Sequence, residues 1–234
     1  MTSIVSHSAN VDPSMLLRLL QLASPSLPVG AYSYSEGLEY AVHAGWVRDA
    51  QSLQTWLRDG LLDGAAQLEA AIVARVHDAY VGREANGSER WDDWLSAARE
   101  TEELRAQSHD MGRALLRLLA DLSPPLPVAR AWLARSCNFA TAFAMAGAHW
   151  HITREATVAA YLQSWVANLA SAGVKLIPLG QTAGQQLLLE LQPTVLQAVS
   201  LALAASDDDL GVANCGLALA SMAHETQYSR LFRS

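Results

Sequence analysis

Lysine is nearly missing from this chain. Lys175 is the only one among 16 basic residues, and 23 acidic residues leave a formal net charge of -7. No basic block exists, so attraction to nucleic acid or to an anionic membrane surface is not expected. Cysteine is as scarce: Cys137 and Cys215 are the only two. Two thiols make no disulfide framework, and their spacing fits no zinc pattern, so both are read as small buried apolar residues. Uninterrupted apolar runs fall short of the roughly 18 residues that span a bilayer. Met1 to Asn10 has neither the basic nor the apolar region of a signal peptide. A cytoplasmic protein is expected.

Catalytic signatures are lacking too. There is no G-x-S-x-G and no G-x-x-x-x-G-K-[ST], which excludes a nucleophile elbow and a P-loop. His224-Glu225-Thr226-Gln227-Tyr228 starts like a zinc-protease helix, but Tyr228 stands where the second ligand belongs. Ser108-His109-Asp110 has triad residue types, yet consecutive helical side chains fan apart by about 100° and cannot relay a proton. His149-Trp150-His151 offers two imidazoles at a spacing suited to an extended segment, and it lies near a helix end, where an ordinary junction is expected. Glu100 and Glu103 are read as a solvated face, with Arg99 and Glu103 paired four residues apart. No cofactor or metal motif emerges, and the chain is expected not to be an enzyme.

What the sequence has in abundance is helical patterning, in a composition 51% hydrophobic. An all-α fold of about 8–10 helices is expected, one domain over 1–234 with a flexible N-terminus (1–10) and a tail (226–234). Val11-Asp12-Pro13-Ser14 is a helix start, with Asp12 as cap and Pro13 in the first turn. Prolines and glycine from Ser24 to Gly30 end that helix. Ser35 is expected to cap a helix running to about Ala44, stopped by Gly45, and Asp49 to cap the next. A helix from Ala65 to Tyr80, a loop over 82–88 and helical pattern from Glu89 to Asp121, broken near Ala98, follow. Leu104, Ser108, Met111, Leu115 and Leu118 make one buried stripe in the second part. Ser123 to Pro127 reads as a linker between halves that do not fold independently.

The second half is almost chargeless. Residues 156–206 hold only Lys175 and Glu190. Near-neutral helices are usually covered on most sides, by the fold or by a partner. Val158, Leu162, Trp165, Leu169, Ala172 and Leu176 form one stripe, with Lys175 off it. Pro178 and Gly180 stop this helix; Gln181 to Leu191 and Pro193 to Ala205 are expected as two more. Asp207-Asp208-Asp209 is expected to cap the last, ending near Glu225. The tail Tyr228 to Ser234 is too short to fold alone, but it carries Tyr228, Leu231 and Phe232 beside Arg230 and Arg233, residue types that anchor interfaces.

Four segments together resemble the UreF family of urease accessory proteins: Leu22 to Glu39 (LASPSLPVGAYSYSEGLE), Arg99 to Arg105 followed by Met111-Gly112-Arg113, Val174 to Gln181 (VKLIPLGQ), and Tyr228 to Ser234 (YSRLFRS). Their order and spacing match across nearly the whole chain. The resemblance implies an all-helical protein that binds a UreD-type partner (UreH in some systems), recruits the GTPase UreG and docks on apo-urease. Nickel is then handled by the assembled complex, with no cofactor held by this chain. It implies a UreG-facing group of Lys175, Glu39 and Glu103, and a UreD-facing tail of Tyr228, Arg230, Leu231, Phe232 and Arg233 that orders on binding. Tyr32 and Tyr34 are expected as loop contacts. Homodimerisation is also implied. The alternative is a GTPase-activating regulator of UreG.

Overall fold

The computed structural model describes residues 12–122, 125–213 and 215–234. The expectations for residues 1–10, and those resting on Val11, Ser123 and Pro124, lie outside them. Eleven α-helical segments and two 3-10 turns follow one another, with no strand among the described residues. They are α1 (Pro13–Leu22), α2 (Leu38–His43), α3 (Ala50–Leu62), α4 (Ala65–Gly82), α5 (Gly87–Ala98), α6 (Glu102–Asp121), α7 (Ala129–Trp132), α8 (Phe139–His149), α9 (Arg154–Leu176), α10 (Gln181–Ala204) and α11 (Cys215–His224). The 3-10 turns are Ala31–Ser33 and Asp207–Asp209.

Local chemistry sets most of the boundaries. Asp12 accepts the Ser14 N–H and Pro13 occupies the first turn, as expected. Asp49 and Ser52 form a reciprocal capping box on α3. Thr101 accepts the Leu104 N–H at 3.2 Å and so starts α6; the helical pattern therefore breaks over 99–101. Gly45 takes φ +74°, the left-handed conformation that ends α2.

Four expectations are corrected. α2 begins at Leu38 with Gly37 at its N-cap; Ser35 instead takes the Glu39 N–H at 3.3 Å through its hydroxyl. The loop after α4 is shorter than 82–88, since α4 runs to Gly82 and α5 starts at Gly87. Pro193 does not split α10, which continues through it. Pro193 and Leu189, whose carbonyl loses its partner there, both lie on the exposed side, while Leu187, Leu191, Val195, Ala198 and Ala202 form an unbroken buried side. Water can serve the freed carbonyl. The aspartate triplet forms its own 3-10 turn, with Asp209 and Ser206 capping each other and Asp207 paired to Arg75 at 2.8 Å.

α8 is the pivot. Every residue from Phe139 to Ala148 is buried, and the helix packs against α4, α6 and α9. Phe139, Phe143 and Tyr161 gather there with ring centroids 5.3–5.8 Å apart. Entry to α8 is tight: a Cβ on Gly112 of α6 would stand 2.1 Å from the Cys137 carbonyl oxygen, so only glycine fits. The two halves of the chain thus share one core, because α8 and α9 come from the second half and α4 and α6 from the first. α9 is covered by α4, α8 and α10, which accounts for part of its missing charge. α10 packs one side on α3, α4 and α9 and turns Leu189 and Leu196 outward. By length and composition α10 is apolar enough to cross a membrane.

Candidate functional site

The tail is folded back onto the body of the chain, so the sequence expectation of a segment awaiting a partner to order differs from what is found. Phe232 and Ser234 are buried. The Ser35–Glu39 turn receives them. Glu36 and Gly37 take φ +53° and +78° in succession, and a Cβ on Gly37 would meet the Ser221 nitrogen at 2.8 Å. That sharp turn directs Glu36 into the core and brings Glu39 to the tail. The Glu39 carboxylate accepts the N–H groups of Leu231 and Phe232 at 2.7 and 2.8 Å. Ser35 donates through its N–H and its hydroxyl to the Ser234 backbone oxygen at 2.9 and 2.5 Å, and the Arg233 N–H donates to the Ser33 carbonyl at 2.8 Å.

Fully buried His224 joins the two carboxylates expected as partner contacts. One ring nitrogen lies 2.7 Å from Glu103 Oε2, the other 3.4 Å from Glu39 Oε2. The nitrogens face different carboxylates, so the three side chains do not converge as metal ligands would. Glu103 also takes the Arg230 guanidinium at 2.6 Å. The Lys175 ammonium lies 5.6 Å from the Phe232 ring centroid, a cation–π contact. Lys175, Glu39, Glu103, Arg230, Leu231 and Phe232 therefore make one connected cluster, although the sequence expectation split them between two partners. Leu231 joins it through its backbone N–H alone, with its side chain exposed, and the exposed Tyr228 side chain stays outside it. Tyr32 is exposed at the loop, and Tyr34 is buried.

Beneath the tail lies a polar floor that sequence reasoning missed. Glu36 accepts from Gln107 Nε2 at 2.7 Å and from Trp165 Nε1 at 2.8 Å. Ser234 donates its hydroxyl to Gln107 Oε1 at 2.5 Å, tying the tail to this floor. Glu69 forms an ion pair with Arg99 and accepts the Tyr161 hydroxyl at 2.5 Å. Arg99 does not pair with Glu103, as its four-residue spacing suggested; the break before α6 turns it inward, where it is 8% exposed. A cavity of about 320 Å³ opens above these groups, walled by Leu22 to Val29 and by residues of α9 and α10. The missed signal was Glu69, a lone carboxylate in the apolar run Ala65 to Ala74. Such a residue implies a buried partner.

Burial, and then the neighbouring Glu69, raise the Glu36 carboxyl from 4.5 to about 7. The folded form thus binds a proton that the unfolded form has already released. Stability is therefore fully present below about pH 4.5 as far as this group is concerned, and is lost as pH rises towards 7. The expected loss is about 3 kcal/mol, from ~1.4 kcal/mol per unit. Denaturant titrations from pH 5 to 8 should show this decline, and Glu36→Gln should flatten its slope whatever its absolute stability.

The discarded motifs fall apart in space. Ser108 donates to Asn138 at 2.9 Å while His109 meets Ser96 at 3.0 Å. Among the described residues no group of His, Cys, Asp and Glu is arranged to hold a metal ion.

A family model described as UreF matches residues 47–192. The chain is similar to "Urease accessory protein UreF" of Trichormus variabilis, at 52% identity over 93% of this chain and 95% of the relative. It is likewise similar to the proteins of that name from Microcystis aeruginosa, 51% identical over 96% and 100%, and Alkalilimnicola ehrlichii, 49% identical over 97% and 100%.

Proposed function

The chain belongs to the UreF family of urease accessory proteins, and from that premise we propose that it serves urease maturation by binding other proteins and not by turning over a substrate. Its tail face pairs with the UreD-type protein, and the pair recruits UreG to apo-urease in the cytoplasm. The nickel ion is cargo of that assembly. The neutral outer side of α10, with Leu189 and Leu196 exposed, suits a second copy of the chain.

One observation carries this reading: the ammonium of Lys175 rests on Phe232, while Glu39 and Glu103 grip the same tail. A partner seated on the tail is thereby mechanically linked to the lysine. Lys175 is exposed, so Lys175→Ala sacrifices only the cation–π contact, about 0.5–1 kcal/mol. Co-purification of UreG should drop by about tenfold or more, with UreD-type pairing retained. Unchanged UreG recovery would count against the assignment. UreG turnover with and without the complex decides whether the chain also stimulates GTP hydrolysis.

A further inference from the structure

Beside the docked tail is an open cleft of about 370 Å³ whose charge runs against that of the molecule. Arg113 and Arg117, one turn apart on α6, face it together with Arg233 of the tail. Asp110 is the only carboxylate among its lining residues, so three guanidiniums and one carboxylate leave +2 in a chain of net charge -7. Among the described residues no ion pair joins any of the three arginines to an acidic side chain. Asp110 and Arg233 line the cleft beside the buried Tyr34. Uncompensated cations brought together repel one another, and an arriving anion relieves that cost.

We propose that this cleft receives an acidic stretch of polypeptide, carrying aspartate or glutamate side chains, from the UreD-type protein. The inference rests on the tail face being that partner's seat, and it adds the chemistry of what docks there. Guanidinium forks match carboxylates in two-point geometry. The cleft walls include Tyr32, 72% exposed, and Val29, a mixture of aromatic, apolar and arginine surface typical of protein interfaces. Arg233 belongs to the cleft and to the tail alike, so the two surfaces are continuous. A net charge of -7 on the chain works against a flat anionic membrane as the occupant.

The test is affinity of the full chain for the UreD-type protein across a salt series. Arg113→Glu with Arg117→Glu should weaken binding by about 30-fold or more and shallow its salt dependence. Both side chains are exposed, so the melting temperature should not move; Arg113→Gln with Arg117→Gln should show a smaller loss in the same direction. A hexaglutamate peptide should compete with the partner. If removal of residues 228–234 leaves the complex intact, the seat itself is wrong. If that removal abolishes binding while the arginine variants bind like the parent at every salt concentration, the seat stands and the acidic stretch is overturned. Competition by inorganic phosphate but not by hexaglutamate would overturn it in favour of a small-anion site. Arginine-dependent sedimentation with phosphatidylserine vesicles would overturn it in favour of lipid.

Discussion

Removing residues 228–234 should abolish co-purification with the UreD-type protein and should also lower stability, by about 2–4 kcal/mol for a buried aromatic and the hydrogen bonds it loses. Both consequences follow from the docked geometry. Phe232 fills a place in the core, and Glu39, once the Leu231 and Phe232 N–H groups leave, keeps only His224 at 3.4 Å. A truncation therefore mixes two effects. The separation is available in the exposed side chains. Tyr228 and Leu231 project from the tail without burying themselves in it. Tyr228→Ala with Leu231→Ala should leave the melting temperature within a degree or two of the parent, while weakening the complex by about 2–4 kcal/mol if both are anchors. Isothermal titration beside calorimetric melting measures the pair. Full affinity in this variant would mean that the tail serves the fold and not the partner.

The second large effect lies in the floor. Arg99→Ala should destabilise the domain by about 3–5 kcal/mol, since it strands a buried carboxylate, and should lower the melting temperature by roughly 6–20 °C for a chain of this size. Glu69 would then face Glu36 with no guanidinium nearby, keeping only the Tyr161 hydroxyl. Replacing both partners, Arg99→Met with Glu69→Gln, should recover most of the loss, because no unpaired charge is left. A double-mutant cycle by urea denaturation gives the coupling directly. Additive losses would show that Arg99 acts through packing alone.

How far the sequence reached follows from the range of each interaction. Asp12, Asp49 and Gly45 announce helix ends because a cap is settled within four residues. The α9 stripe from Val158 to Leu176 is legible because a helical face repeats locally: Val158, Leu162, Trp165, Leu169 and Ala172 are buried as expected and Leu176 is half-buried. Thr157, Tyr161 and Val166 beside the stripe are buried as well, because α9 is packed on several sides. The site residues could be gathered by resemblance, but not their wiring. Glu39 meets Phe232 across 193 positions, Glu36 meets Trp165 across 129, and Tyr161 meets Glu69 across 92. Nothing periodic encodes such pairs. The misreadings have the same origin. Arg99 and Glu103 have helical spacing, but Thr101 caps a new helix between them. Pro193 is a breaker by type, and tolerance of it depends on which side of α10 faces water.

The burial of α8 on all sides bears on how the chain can be made. α4 and α6 emerge from the ribosome first, and the faces they turn towards α8 stay uncovered until residues 139–149 follow. At about 5–20 residues per second, some seconds pass with leucine and valine surface open to solvent. The yield of folded chain should therefore depend on how quickly translation passes from the Pro-rich segment at 124–127 to the end of α8.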